Sequence, residues 1–340
     1  MTESGTERGE GGGGWKIAAV IPCYRSIGQV LDVLAAIAPS VFLIVVVDDA
    51  CPDQTGAFVE QHCTDGRVTV VRNTVNKGVG GAVMTGYAVA LARGADIVVK
   101  LDSDGQMDPA MLPALVEPIL RGHADYVKGN RFFNIDDVQS MPAIRILGNA
   151  CLSFLTKLSS GYWHIFDPTN GYTAIHRIAL MRLPLTKIDE RFFFESDLLF
   201  RLNLADAVVL DFPMVAKYGD EQSNLRVRQV IWPFLSKNIR NLSKRLFYSY
   251  FLRAMSIGSL ELVLGVLLLG FGTVFGAMHW IDSTTSGVPA TAGTVMVASL
   301  PIIVGIQMLL GFLAYDFQAV PKIPLQLLHS RAERSRLLRA

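Results

Sequence analysis

Short apolar runs alternate with longer segments of helical period through the first third of the chain. Residues 16–21, 41–47, 68–72 and 97–101 are runs rich in valine and isoleucine, bounded by polar or glycine-bearing stretches, and the pattern predicts strands there. Residues 29–38, 53–62 and 79–93 lie between them and predict helices. Strands alternating with helices imply βαβ units, hence an α/β domain with a mainly parallel central sheet. Such sheets bind ligands outside the carboxyl ends of their strands. From residue 124 to 217 the pattern is less regular. It predicts strands at 124–128, 171–175, 208–211 and 214–217, the last two split by Pro213, and a helix at 144–159. This stretch reads as a second half of the same domain, with mixed strand directions.

The character changes after residue 225. Arg226, Arg228, Lys237, Arg240, Lys244, Arg245 and Arg253 interleave with Trp232, Phe234, Phe247, Tyr248, Tyr250 and Phe251 at helical spacing. Basic and aromatic residues in this arrangement suit a helix lying in the interface of an anionic leaflet. Residues 262–281 and 288–315 then form two apolar runs of spanning length, the second with Pro301 inside it. The connection between them carries Asp282 and no lysine or arginine, whereas both flanks are basic, with Lys322, Arg331, Arg334, Arg336 and Arg339 following. The positive-inside rule puts both ends and the α/β domain on the cytoplasmic side of the membrane. Gly265, Gly270 and Gly276 would permit close helix packing, which leaves a homo-oligomer open.

Composition adds little to this division of the chain. Of 340 residues 51% are hydrophobic, and the excess lies near the C-terminus. The net charge of +1 gives no global field that would draw in nucleic acid. The four cysteines form no C-x-x-C pair and no metal-ligand spacing, as expected of free thiols in a reducing compartment. The polar residues 1–14, ending in four glycines, lack the apolar core of a signal peptide and read as a disordered tail.

The chemistry concentrates at strand ends. Asp48 and Asp49 follow the second strand, and Asp102, Ser103, Asp104, Gly105 and Gln106 follow the fourth. If the strand geometry continues, carboxylates at 102 and 104 project to one side. Two carboxylates so placed are costly unless a positive group sits between them. A hard divalent cation, Mg²⁺ or Mn²⁺, sharing its oxygen ligands with a substrate diphosphate, satisfies that need. A solvated Asp-Ser-Asp-Gly turn is the plain alternative. Gly78-Val79-Gly80-Gly81 does not have the spacing of a dinucleotide fingerprint. His123, His164 and His176 are scattered and read as structural.

In order and spacing, the motifs resemble those of family 2 glycosyltransferases of the GT-A fold, and among them the polyprenyl-phosphate (dolichyl-phosphate) mannosyl- and glucosyltransferases. Pro22, Cys23, Tyr24, Arg25 and Ser26 stand at the family's P-x-Y-N-E position. Val45–Ala50 resembles its V-V-D-D-G/A segment, Asn76–Ala82 its N-x-G-x-x-x-A segment, and Asp102–Gln106 its D-x-D-x-Q metal site. Asp167–Tyr172 resembles the acceptor loop, Glu195 and Asp197 stand at an acidic pair opening a helix, and Tyr218–Leu225 resembles the loop over the diphosphate. Arg25 and Ser26 replace the usual Asn and Glu, and Asn224 replaces a common lysine.

The resemblance implies a GT-A domain over residues 15–225. It is followed by basic interfacial helices at 226–255, two transmembrane helices within 256–316 and a basic cytoplasmic tail at 317–340. It implies that Pro22, Tyr24, Asp48, Asp49, Lys77, Gly78 and Asp102 hold a nucleotide-sugar donor, and that Asp102, Asp104 and Gln106 hold the metal. Breaking the anomeric C–O bond builds negative charge on the leaving diphosphate, which a cation at Asp104 would neutralise. A polyprenyl-phosphate acceptor is already anionic and needs positive groups more than a base; Arg131 and Lys217 are the candidates. Asp167, Glu195 and Asp197 would orient sugar or acceptor, with a helix N-terminus as the plain explanation of the last two. Direct displacement would invert the anomeric centre. A processive polysaccharide synthase is the competing enzyme reading, but its Q-x-x-R-W motif and additional spans are absent from this sequence. A non-catalytic membrane scaffold is the competing reading from another class.

Overall fold

In the computed structural model of the protein, residues 14–131, 143–168, 170–214 and 227–330 are described. Strands β1 (Ile17–Cys23), β2 (Val41–Asp48), β3 (Val68–Arg72) and β4 (Ile97–Lys100) are parallel neighbours. Helices α1 (Val30–Ala35), α2 (Thr55–His62) and α3 (Gly78–Ala92) connect them. Beyond α4 (Leu112–Leu120), β5 (Tyr126–Asn130), α5 (Ala143–Ser160), β6 (Thr173–His176), α6 (Arg177–Met181), α7 (Phe194–Leu204) and β7 (Val209–Pro213) extend the same layer. The seven-stranded sheet has the order β3-β2-β1-β4-β6-β5-β7. Only β6 runs against its neighbours, antiparallel to both β4 and β5.

Strand alternation divides the core between the two faces of the sheet. Ala18 and Val20 of β1 pack with Val83 and Tyr87 of α3 and Leu198 and Leu199 of α7. Ile17, Ala19 and Ile21 pack with Leu34 of α1 and Leu112, Leu115 and Val116 of α4. Both faces of β1 are covered, which is why these parallel strands read as continuous apolar runs.

Some boundaries differ from expectation for local reasons. Gln54 adopts a left-handed backbone at φ 54°, so α2 starts at Thr55 instead of residue 53. Pro213 is the last residue of β7 instead of a divider between two strands. This strand pairs with β5 alone, where a residue without an N–H is tolerated. Met214 lies outside the strand and residues 215–217 lie outside the described residues, as do residues 1–13 of the tail expected at 1–14.

Helix α8 (Val227–Phe247) continues into a π-helical turn at Tyr248–Arg253. It docks on the domain largely through polar side chains. Lys237 pairs with Asp189 at 2.5 Å, Asn238 accepts from Ser159 at 2.6 Å, and Asn241 donates to Asp197 at 3.0 Å. Trp232, Ile239, Phe247, Phe251 and Leu252 point outward and are exposed. A helix packed on a soluble domain normally presents the reverse.

Helices α9 (Ile257–Ser286) and α10 (Ala292–Gln318) are long and apolar enough to cross a membrane. They pack on one another as an antiparallel hairpin through glycines. A Cβ at Gly265 would lie 3.1 Å from the Gly305 carbonyl oxygen, and one at Gly272 would lie 2.7 Å from that of Ala298. Of the glycines flagged in the sequence, Gly265 and Gly276 sit in this seam, whereas Gly270 faces open space. Leu267, Phe271, Val274, Ile303 and Leu310 are exposed, so this is not the buried core of a soluble fold. After α10 the chain returns to the domain. The N–H groups of Leu325 and Gln326, with that of Val208, donate to the buried Asp125 carboxylate.

Candidate active site

The strand order reverses between β1 and β4, which lie side by side while their continuations lead to opposite sheet edges. That crevice is where open α/β sheets take ligands. Its two lips are joined, because the Ser103 hydroxyl donates to the Pro22 carbonyl at 3.1 Å. Tyr24, half-exposed, lies on the β1 lip with the Arg25 guanidinium 5.5 Å from its ring centroid. Arg25 and Ala50, immediately beyond β1 and β2, have φ of 58° and 51°. Non-glycine residues in this region carry backbone strain that a surrounding structure must hold. The Arg25 N–H bonded to the Cys51 sulfur at 3.1 Å is one such restraint.

Asp48 and Asp49 are buried and occupied. Asp48 accepts the N–H groups of Cys51 and Gly56, each at 2.7 Å, which fixes the turn into α2. Asp49 accepts the N–H groups of Lys77 at 2.9 Å and Gly78 at 2.7 Å, and the Asn73 amide at 2.7 Å. Gly78 has φ 83°, a conformation suited to glycine at this entrance to α3. Both carboxylates therefore build the loops around the crevice, and Lys77 and Gly78 enter through their backbone.

The carboxylates after β4 behave differently. β4 ends at Lys100, so strand alternation does not extend to 102 and 104 as expected. Asp102 turns back to pair with the Lys100 ammonium at 2.7 Å. A Cβ at Gly171 would run into that ammonium and lie 2.8 Å from Asp102 Oδ2, so a glycine leaves room for the pair. Asp104 Oδ1 accepts the Gln106 N–H at 3.0 Å. Asp102 and Asp104 remain partly accessible, unlike Asp48 and Asp49.

Sequence reasoning missed the positive groups beneath them. Lys100 and Lys128 are almost wholly buried, and both pair in register with Thr173 of β6, which sets them on one rung of the sheet. Lys128 donates to the Asn170 carbonyl. Burial pushes its ammonium down to about 8, against the pull of Glu195 and Asp167. Burial pushes the Glu195 carboxyl up to about 7, with Lys100 and Lys128 opposing the rise. A lysine interrupting a β-branched strand was the available signal, in Val99-Lys100 and Val127-Lys128 alike.

Arg131 and Asp167, placed separately by the sequence, grip each other. Arg131 Nε lies 2.8 Å from Asp167 Oδ2 and Nη2 lies 3.2 Å from Oδ1, a two-pronged pair with Asp167 buried and a third of Arg131 accessible. Asp197 does not join this group. It is held by Arg201 at 3.0 Å, the Asp189 N–H at 3.0 Å and Asn241 of α8, which ties α7 to α8. His164 bonds the Val209 carbonyl and His176 caps α6, both structural uses. Lys217 and the loop at 218–225 lie outside the described residues.

The donor set near Asp102 suits a hard cation. Asp102, Asp104 and Gln106 offer oxygen ligands on one turn, and among the described residues no group of three or more His, Cys, Asp or Glu is gathered. A cation here would take only part of its shell from protein and the rest from water and phosphate, which is the habit of Mg²⁺.

Comparison with known proteins agrees with this geometry. Residues 18–183 match the family described as glycosyl transferase family 2. A UDP-N-acetylglucosamine–dolichyl-phosphate N-acetylglucosaminyltransferase of Methanococcus voltae is 31% identical over 48% of this chain and 70% of its own length. An undecaprenyl-phosphate mannosyltransferase of Micrococcus luteus is 29% identical over 58% of this chain and 82% of its own. A polyprenol monophosphomannose synthase of Mycolicibacterium smegmatis is 32% identical over 46% and 60%. Among solved structures, glucosyl-3-phosphoglycerate synthase of Mycobacterium tuberculosis, in complex with Mn²⁺, UDP-glucose and phosphoglyceric acid, superposes with a TM-score of 0.51 at 21% identity, over 68% of this chain and 80% of that one. That likeness is one of fold, and it matches the GT-A architecture. With its crevice at the β1/β4 reversal, the family match over residues 18–183 and a sugar transferase 31% identical over 70% of its length, this chain belongs to glycosyl transferase family 2 and is a glycosyltransferase.

Proposed function

We propose that the protein transfers a single sugar from a nucleotide sugar, of GDP-mannose or UDP-glucose type, to polyprenyl phosphate at the cytoplasmic face of a membrane, with inversion at the anomeric carbon. The observation that carries the reading is a site of paired charge beside an outward-facing apolar hairpin. Asp102 pairs with Lys100 of the buried Lys100–Lys128 rung, Asp104 follows in the same turn, and Arg131, just past β5, pairs with Asp167. Two anionic partners must be brought together, and this rung supplies buried positive charge where solvent screening is weak. The names of the relatives, with dolichyl, undecaprenyl and polyprenol phosphate as acceptors, support the lipid acceptor.

In this reading the loops held by Asp48 and Asp49 receive the nucleoside, with Pro22 and Tyr24 on the adjoining β1 lip. Asp102, Asp104 and Gln106 would hold Mg²⁺ or Mn²⁺, which offsets charge on the departing diphosphate when bound. Arg131, oriented by Asp167, turns its accessible edge to the acceptor phosphate, with Lys217 as a second cation. Glu195, whose carboxyl burial pushes up to about 7 against the pull of Lys100 and Lys128, would adjust the charge of the site. No base is required, because the acceptor oxygen is already anionic. The division of the chain at 15–225, 226–255 and 256–316 is part of the proposal, as is the cytoplasmic placement, which rests on the basic flanks.

A transfer assay tests it. Purified protein in detergent receives polyprenyl phosphate, Mg²⁺ or Mn²⁺ and a panel of labelled GDP- and UDP-sugars. Label entering the lipid phase from one donor, lost with chelator, is expected. No transfer from any donor, with nucleotide binding also absent, overturns the reading.

A further inference from the structure

The catalytic domain and the apolar hairpin meet at one carboxylate. Asp316, in the last turn of α10, is buried and accepts on both oxygens. Arg245 of α8 donates to Oδ1 at 2.6 Å and to Oδ2 at 3.0 Å, the Tyr250 hydroxyl to Oδ1 at 2.5 Å, and the Trp163 indole N–H to Oδ2 at 2.9 Å. Arg245 also donates to the Leu158 carbonyl near the end of α5, at 2.9 Å. The Trp163 ring lies on Phe317, with centroids 4.1 Å apart. The carboxylate of this buried ion pair is thus well supplied with donors, which such a pair needs to persist, while the buried Arg245 Nε has no hydrogen-bond partner among the described residues.

Trp163 stands in the segment that leads to Asp167, and the intervening residues are pinned. His164 bonds the Val209 carbonyl at 2.8 Å, the Phe166 N–H donates to Asp211 at 2.7 Å, and the Phe166 carbonyl accepts from Ser153 at 2.9 Å. Asp167 then holds Arg131. A continuous line of hydrogen bonds and short backbone therefore runs from the end of the second apolar helix to the arginine.

We infer that Asp316, Arg245 and Trp163 are positioning residues for the acceptor: they set the 161–168 segment, and through Asp167 the Arg131 guanidinium, from the seat of α10. The inference rests on the acceptor role proposed for Arg131. It separates binding of the two substrates. A clasp that only held the domains together would change donor and acceptor kinetics alike, whereas this one acts on the acceptor side.

The test uses the full chain in lipid nanodiscs. Trp163→Phe keeps the ring on Phe317 and removes one N–H; Asp316→Asn keeps the shape and removes the charge. Both are expected to raise the polyprenyl-phosphate KM roughly tenfold, the scale of one hydrogen bond to a charged group, with the donor KM unchanged. Amide hydrogen exchange is expected to quicken over 161–168 and at Arg131. Donor and acceptor KM rising together, or an unchanged acceptor KM despite quickened exchange, overturns the inference. If Asp316→Asn does not fold, Trp163→Phe carries the test alone. If the wild type glycosylates no polyprenyl phosphate, the acceptor reading falls. Exchange at Arg131 in Trp163→Phe then decides the coupling, and unchanged exchange there overturns it.

Discussion

Asp48–Asp49 and Asp102–Asp104 are written alike in the chain, as acidic residues closing an apolar strand, and the fold uses them in opposite ways. The first pair is buried, and each of its four carboxylate oxygens accepts at least one N–H from the neighbouring chain. The second is partly open, balanced on one side by the Lys100 ammonium and on the other by a short turn. A carboxylate whose lone pairs are filled by backbone shapes a site, and one with accessible lone pairs can bind within it. The difference lies in what the following loop offers. Beyond Asp49 the chain supplies the N–H groups opening α3, whereas beyond Asp104 it turns outward through Gly105 at φ 75°.

The contrast is sharpest if removing the open carboxylate stops chemistry while the fold stands. Asp104→Ala is expected to lower kcat/KM by about a thousandfold, with a change in unfolding free energy below about 0.5 kcal/mol; sugar transfer and urea denaturation measure the two. Asp49→Ala should show the reverse emphasis, losing about 3 kcal/mol because buried donors lose their acceptor. Equal stability losses in the two variants would break the comparison. Arg131→Lys gives up the two-pronged grip on Asp167 and is expected to weaken acceptor binding roughly tenfold with the fold intact, read as acceptor KM.

The smallest effect is one of pH. Glu195 in the folded protein takes up its proton near 7 instead of the ordinary 4.5. Between those values the folded state binds more protons than the unfolded state, so this group makes stability fall as pH rises through that window. Glu195→Gln should flatten that limb of a stability–pH curve measured by denaturation. An identical slope in the variant would assign the limb to another group.

Much of the fold was legible because its signals are local. β3 falls where the valine-rich run at 68–72 predicts it, and β1, β2 and β4 differ by no more than two residues at either end. The apolar helices were legible from length alone. The order of strands around β6 was not, since pairing between residues far apart leaves no local trace. The candidate site divides in the same way. Asp102, Asp104 and the crevice could be read from strand ends, but Lys100 and Lys128 come together only through the shared rung at Thr173. Arg131 and Asp167 were each singled out, yet nothing in their spacing said that they pair. Helix α8 was read correctly as basic and aromatic; which face meets the protein depended on the asparagines at 238 and 241, whose partners lie in α5 and α7.

Beside the Val208 N–H, Asp125 draws its donors from Leu325 and Gln326, some 200 residues further along the chain and beyond both apolar helices. During synthesis this segment leaves the ribosome after the hairpin. Until that segment arrives, the Asp125 carboxylate has the Val208 N–H but not the two later donors. The sugar-handling domain is thus completed by residues made after both apolar helices, and a chain ended before the hairpin would be left unfinished at that edge.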